Sequence, residues 1–251
     1  MLQEVRIGQL SEKSKSLIQN KIDSSNFVRT FYETTHVVGL RNTAENINIM
    51  ICGTLPFDEM CNDAIISTAN DMLNFDPLGS NHNINEFRYL TNLPGKIHLQ
   101  EGARVMFLNN KLYEHGICNG TIGVVTKIID CENVEVAFPT NTSITKIIVQ
   151  KETAYFEFNG NRASRQQFPL QNAFALTVHK TQGLTLPHVT VSVDDSMFAV
   201  GQVYVAMSRA TSWETINILS FDYEQIKVPD AALKEYHRLN QIHSAGLQSL
   251  L

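Results

Sequence analysis

The pattern of apolar and polar positions divides this chain into three stretches. In the first, residues 10–22 set Leu17, Ile18 and Ile22 along one edge of a helix, cover the rest with lysines and offer Ser11 as the N-cap. Residues 34–40 (TTHVVGL) are a short β-branched run of strand type. Arg41 follows directly. Asn42 lies three residues before Glu45, a capping-box spacing that predicts a helix with Ala44, Ile47 and Ile51 on one face. Strand, arginine and capped helix make a βα unit, whose carboxyl strand edge is where such folds bind ligands. Residues 56–95, broken by Pro56, Pro77 and Pro94, predict irregular connection with one short helix.

From Ile97 the rhythm shortens. Val105 and Phe107 alternate, Asn119-Gly120 marks a turn before TIGVVTKII, and residues 133–138, 143–150 and 153–158 are strand-type segments followed by a turn at Asn159-Gly160. Roughly five or six short strands at this spacing predict a small antiparallel barrel. After Pro169 the longer period returns. Residues 173–176 read as a buried strand, and residues 189–193 and 215–219 as further strands. Thr177 can cap a short helix carrying His179, Lys180 and Gln182, which Gly183 breaks. Val200, Val203, Tyr204 and Met207 share one face of a helix ending near Ser208-Arg209. A last helix opens near Pro229-Asp230 and carries Leu233, Tyr236, Leu239 and Ile242 at steps of three. The predicted class is therefore α/β, a parallel sheet with flanking helices interrupted by an antiparallel barrel. The expected domain ranges are 1–96, 97–167 and 168–251.

Composition limits the function classes. A chain of 251 residues with 43% hydrophobic and 18% charged residues can bury a substantial core. The net charge of -5 provides no bulk basic field, so a nucleic-acid partner would have to meet a local patch. Cys52, Cys61, Cys118 and Cys131 show no CxxC spacing and read as reduced thiols, with no metal site expected. No secretory leader and no apolar run of membrane-spanning length is read in the sequence, so the expected compartment is cytosolic or nuclear, with no membrane partner.

The candidate chemistry is concentrated in residues 168–186, FPLQNAFALTVHKTQGLTL, and 200–211, VGQVYVAMSRAT. The first is an apolar strand entering a hydroxyl-rich turn with a basic pair, His179 and Lys180. The second is a helix that delivers Arg209 at its end. Phosphate-type donors beyond a strand, together with a positioned arginine, are what a phosphate-handling site at a domain edge requires. On composition alone Arg209 is equally a cation favouring a helix C-terminus.

These residues carry a family resemblance. LQEGARVMFLNN followed by GICNGTIGVV resembles the barrel entry of the Pif-type DNA helicases, superfamily-1 enzymes that move 5′ to 3′ on single-stranded DNA; the helicase part of Helitron-like mobile elements is similar. FPLQNAFALTVHKTQGLTL resembles helicase motif V, GQVYVAMSRAT motif VI and VGLRNTAENIN motif IV, while ILSFDYEQI and LKEYHRL resemble the closing strand and helix. The resemblance covers most of the chain. It implies a second RecA-like domain interrupted by a Src-homology-3-like barrel.

The resemblance also implies roles. Arg209 would be the arginine finger on the γ-phosphate of ATP, with Arg41 a second phosphate cation. Gln182, Gly183, Thr185 and Gln202 would face the nucleotide. Thr177, His179 and Lys180 would grip single-stranded DNA, and Tyr113 would stack on a base. No GxxxxGK[ST] phosphate loop occurs in the sequence. In the family that loop and the Mg²⁺ ligands belong to a first, N-terminal RecA-like domain, which would have to be supplied in cis or in trans. The expectation is thus the completing half of a composite ATP·Mg site, inactive alone. The alternatives are a non-catalytic nucleic-acid-binding remnant of a mobile element and a protein-interaction module.

Overall fold

The computed structural model describes residues 1–24, 32–56, 64–78, 84–140 and 143–248. In chain order its strands are β1 (Thr35–Val38), β2 (Ala64–Thr68), β3 (Asn70–Leu73), β4 (Asp76–Pro77), β5 (Lys96–Gln100), β6 (Arg104–Phe107), β7 (Ile122–Ile128), β8 (Asn133–Pro139), β9 (Ile144–Gln150), β10 (Glu152–Phe158), β11 (Asn161–Gln167), β12 (Leu170–Asn172), β13 (Ala175–Thr177), β14 (Val189–Val193) and β15 (Ile216–Phe221). Its α-helices are α1 (Leu2–Ile7), α2 (Glu12–Ser24), α3 (Arg41–Cys52), α4 (Ile84–Thr91), α5 (Val178–Thr181), α6 (Gln202–Met207) and α7 (Asp230–Gln248). By packing they form two compact units, Met1–Ala44 with Ala175–Leu251, and Glu45–Phe174.

The first unit is built on a parallel sheet of order β13-β1-β14-β15. His36 pairs with Ala175 on one side and Thr190 on the other, and Val189 pairs with Ile216. Every residue of β1 and all but Ser192 of β14 are buried, as expected for strands covered on both faces. α2 packs on β15, burying Ile18 completely. Its start is the expected one, because Ser11 Oγ accepts the Ser14 N–H at 3.3 Å. The capping box at Asn42 does not form. α3 begins two residues earlier than that cap would place it, with the Ala44 N–H bonded to the Leu40 carbonyl, and Glu45 pairs instead with Arg88.

The second unit is antiparallel. One sheet runs β12-β6-β7-β8-β9, another β10-β11-β3-β4, and β2 pairs with β5. β8 shows the period of two: Val134, Val136 and Phe138 point inward and are fully buried, while Asn133, Glu135 and Ala137 alternate with them. The hairpin at Asn159-Gly160 forms with positive φ at both residues, 50° and 76°, as a two-residue turn requires. Among the described residues the five-stranded ladder has β12 and β9 as its edges, so the strands expected to make a barrel do not close one continuous ring of hydrogen bonds. Residues 56–95 differ from the expected irregular connection. β2 pairs with β5 over Ala64–Thr68 and β3 pairs with β11, α4 is the one short helix expected there, and Pro77 sits in the edge strand β4, where its missing N–H costs nothing. Arg165 on β11 explains why β3 belongs here. Its Nε and Nη2 each donate to the Asp71 carboxylate at 2.7 Å and its Nη1 to the Leu93 carbonyl at 3.1 Å, all without solvent exposure of the arginine. Its guanidinium also lies over the Phe87 ring, 5.6 Å from the centre.

Candidate functional site

A parallel sheet sends all its carboxyl strand ends to one side. Here the segments beyond those ends are Gly39–Arg41 after β1, Val178–Gly183 after β13, Asp194–Ser196 after β14 and Asp222 after β15. Charge along this edge is divided. The adjacent strands β13 and β1 lead to His179, Lys180 and Arg41, and β14 and β15 lead to Asp194, Asp195 and Asp222.

The turn after β13 is built by a cap. Thr177 is extended and its Oγ1 accepts the Lys180 N–H at 3.4 Å, starting the single turn of α5. The hydroxyl keeps its own proton for another acceptor. Thr181 is fully buried and donates to the Val178 carbonyl at 2.8 Å, which closes the turn from below. Gly183 then takes a left-handed φ of 81°, and a Cβ built there would meet nothing within 4 Å. The turn therefore exposes His179, Gln182, Gly183 and Thr185 while its buried members anchor it.

The second segment meets the first through Arg209. Leu186 N donates to the Arg209 carbonyl at 2.9 Å, and Leu186 and Ala210 form an isolated parallel bridge. The Arg209 side chain turns back onto the same junction. Nε donates to the Val205 carbonyl at 3.0 Å, Nη1 to the carbonyls of Thr181 at 3.4 Å and Leu184 at 3.3 Å, and Nη2 to Ser208 Oγ at 2.7 Å. Of the five guanidinium N–H groups, one on Nη2 has no acceptor among the described residues. Those acceptors are all uncharged, so the positive charge is positioned and not neutralised.

Gln202, expected to face a ligand, is 4% exposed. Its Oε1 accepts the Ala199 N–H at 2.9 Å, whereas its Nε2 is buried with no partner among the described residues. A buried amide donor left unpaired costs about 1–3 kcal/mol, which fits a group awaiting an acceptor. Arg41 occupies the first turn of α3 at the end of β1. The structure thus brings Arg41, Thr177, His179, Lys180, Gln182, Gly183, Thr185, Gln202 and Arg209 into one unit. Tyr113, 74% exposed on a one-turn 3₁₀ helix, belongs to the other.

Sequence reasoning missed two contributors. Ser208, inside the SRA triplet, fixes Nη2 of Arg209. Gly39 allows the loop after β14 to cross the end of β1, because a Cβ there would lie 2.0 Å from the Ser196 carbonyl oxygen. The only sequence signal for Gly39 was a glycine closing a β-branched run.

With this geometry in place, comparison with known proteins is informative. A family profile described as the viral superfamily 1 RNA helicase core domain matches residues 104–217, a span containing both segments. The chain is 32% identical over 155 residues to the ATP-dependent DNA helicase PIF1 of Xenopus laevis, covering 62% of this chain and 24% of that protein. It therefore spans about a quarter of that relative's length. The crystal structure of Pif1 helicase from Bacteroides in complex with ADP-AlF3 and ssDNA matches with a TM-score of 0.70 at 25% identity, over 96% of this chain and 52% of that one. Pif1 helicase from Candida albicans has the same fold, with a TM-score of 0.74 at 23% identity over 96% of this chain and 56% of its own. The matched span, the likeness in fold and the relatives' sequences agree, and the chain is similar to the Pif-type superfamily-1 helicases.

Proposed function

We propose that this chain is the C-terminal portion of an ATP-dependent DNA helicase. In this reading it contributes the arginine finger and the single-stranded-DNA contacts to an ATP site that an N-terminal RecA-like domain completes, in cis or in trans. The supporting observation is Arg209, whose charge is held by four neutral acceptors at the junction of the two motif segments. A preorganised guanidinium with its charge intact suits the equatorial oxygens of a transferring phosphoryl group, where charge grows in the transition state.

The edge at β13 and β1 offers donors: guanidinium, ammonium, amide and hydroxyl groups. A polyphosphate offers acceptors, so the residues present fit it. ATP supplies the transferable γ-phosphoryl group, and it is held mainly, with its Mg²⁺, by the completing domain. Arg209 and Arg41 act on the phosphates. Gln182, Thr185 and Gln202 donate toward the nucleotide, and Gly183 admits it close to the backbone. On the same turn, His179, Lys180 and the free proton of the Thr177 hydroxyl grip the DNA phosphates without reading sequence. Tyr113 stacks on a base. Nucleotide and DNA contacts then share the turn after β13, and Arg209 ties that turn to α6, so a shift at one contact moves the other. Residues 97–167 serve in this scheme as the inserted Src-homology-3-like barrel.

Two experiments test the reading. Fluorescein-labelled oligo-dT titrated with the full chain is expected to bind at low salt, to weaken steeply as salt rises, and to bind less well to the His179→Ala/Lys180→Ala double variant. Absence of binding at low salt would remove the DNA contacts. The chain alone is expected to leave ATP intact, whereas joined to the phosphate-loop domain of a Pif-type relative it should confer DNA-stimulated hydrolysis. Hydrolysis indifferent to Arg209→Ala would remove the finger.

A further inference from the structure

Away from the sheet edge, the parallel-sheet unit carries a groove between α1, α6 and α7. Two cavities of about 160 and 230 Å³ share Arg6, Val228 and Ala232 in their walls, so they adjoin. Val5, Val203 and Ile226 give the first an apolar floor, and Leu233, Tyr236 and Leu239 do so for the second. Arg6 stands where they meet. Its guanidinium lies 5.8 Å from the centre of the Tyr204 ring and 5.4 Å from that of Tyr236, stacked and charged.

The carboxylates around Arg6 are engaged elsewhere. Glu4 accepts the Ser11 N–H at 2.8 Å and its hydroxyl at 3.1 Å, and Glu235 accepts Arg238 at 2.8 and 2.7 Å. Lys227 adds a second cation to the wall of the first cavity; the Asp222 carboxyl is held below the ordinary range first by the Gln225 amide, bound at 2.8 Å, then by the Glu224 N–H, with Lys227 adding to them. The apolar stripe of α7 continues outward, with Leu239 51% and Ile242 55% exposed. A cationic centre between two apolar cavities, with an uncovered apolar stripe beside them, is complementary to an acidic and apolar ligand.

We propose that this groove docks a short segment of a partner protein in which two apolar side chains flank an aspartate or glutamate. The apolar side chains enter the cavities, and the carboxylate pairs with Arg6. Size favours this occupant over a nucleotide. Both cavities fall below the roughly 300–1,000 Å³ of small-molecule sites and suit single side chains. Arg6 already covers one face of each tyrosine ring, which leaves little stacking surface for a base. The docking mode is that of an amphipathic segment in an apolar groove.

The test uses the full chain. Random twelve-residue peptides displayed on phage are selected on the immobilised protein, and the enriched peptides are resynthesised with a fluorescent label. Peptides with Asp or Glu between apolar residues are expected to dominate. Their affinity should fall about tenfold or more with Ala232→Trp, which fills the shared wall, and with Arg6→Glu. Both positions are exposed, and thermal melting verifies folding. Should Ala232→Trp misfold, Arg6→Glu decides, because it should bind peptides with lysine in place of the acid. No enrichment, enriched peptides without acidic residues, or binding unaffected by either substitution would each overturn the proposal. Displacement of the peptide by oligo-dT would assign the groove to nucleic acid instead.

Discussion

Arg165 and Arg209 make a comparison of the two units. Both guanidiniums are fixed by several hydrogen bonds. Arg165, in the antiparallel unit, is fully buried against the Asp71 carboxylate, two N–H groups to two oxygens. Arg209, in the parallel unit, is half-buried and held by backbone carbonyls and a serine hydroxyl. The difference lies in the charge of the acceptor. A carboxylate cancels the guanidinium field, and such a pair specifies which strands lie together. Neutral carbonyls orient the group and leave its field intact for an incoming anion.

The largest expected effect comes from breaking the functional side. In the chain joined to a phosphate-loop domain, Arg209→Ala should lower ATP hydrolysis ~10³–10⁵-fold, measured as DNA-stimulated turnover, with the fold retained. An equal loss of folding would make Arg209 a second Arg165. Next, Arg165→Met should destabilise the antiparallel unit by about 3–5 kcal/mol in denaturant unfolding, because it strands a largely buried Asp71. Adding Asp71→Leu should recover most of that, which separates a cost of unpaired charge from lost packing. Smaller again is Gly39→Ala. Its Cβ would meet the Ser196 carbonyl oxygen at 2.0 Å, so a loss of about 1–3 kcal/mol is expected in thermal unfolding. The smallest effect is an acid titration of the turns in the antiparallel unit. The Glu132 N–H and the Asn133 amide hold Asp130 below the ordinary carboxylate range, and the Thr126 hydroxyl and Lys146 do the same for Glu135. Their contribution is present above the ordinary range and is lost as pH falls through the lowered folded values. Asp130→Asn should make melting temperature less sensitive to pH there.

How much was legible in the sequence follows from the range of the forces involved. β14 was read at its observed bounds because the β-branched segment VTVSV signals a strand locally. Ser11 and Thr177 were recognisable as caps because a cap reaches only to the next helical turn. Asn42 misled for the converse reason. Its spacing to Glu45 fits a capping box, yet Glu45 is taken by Arg88, 43 residues away in sequence. The strands at 64–73 were missed because their polar faces, between Pro56 and Pro77, resemble loop when their partners lie outside the window.

The sequence by itself determined the strands of the parallel sheet, the motifs and their place after β13 and around α6. Period and local capping depend on near neighbours, and those are written in consecutive residues. Only the tertiary structure decided which groups surround each arginine. It brought the Thr181 and Leu184 carbonyls to Arg209 across 28 and 25 residues, and Asp71 to Arg165 across 94. An arginine's role is set by the charge of the groups around it, and sequence distance does not encode which groups those are.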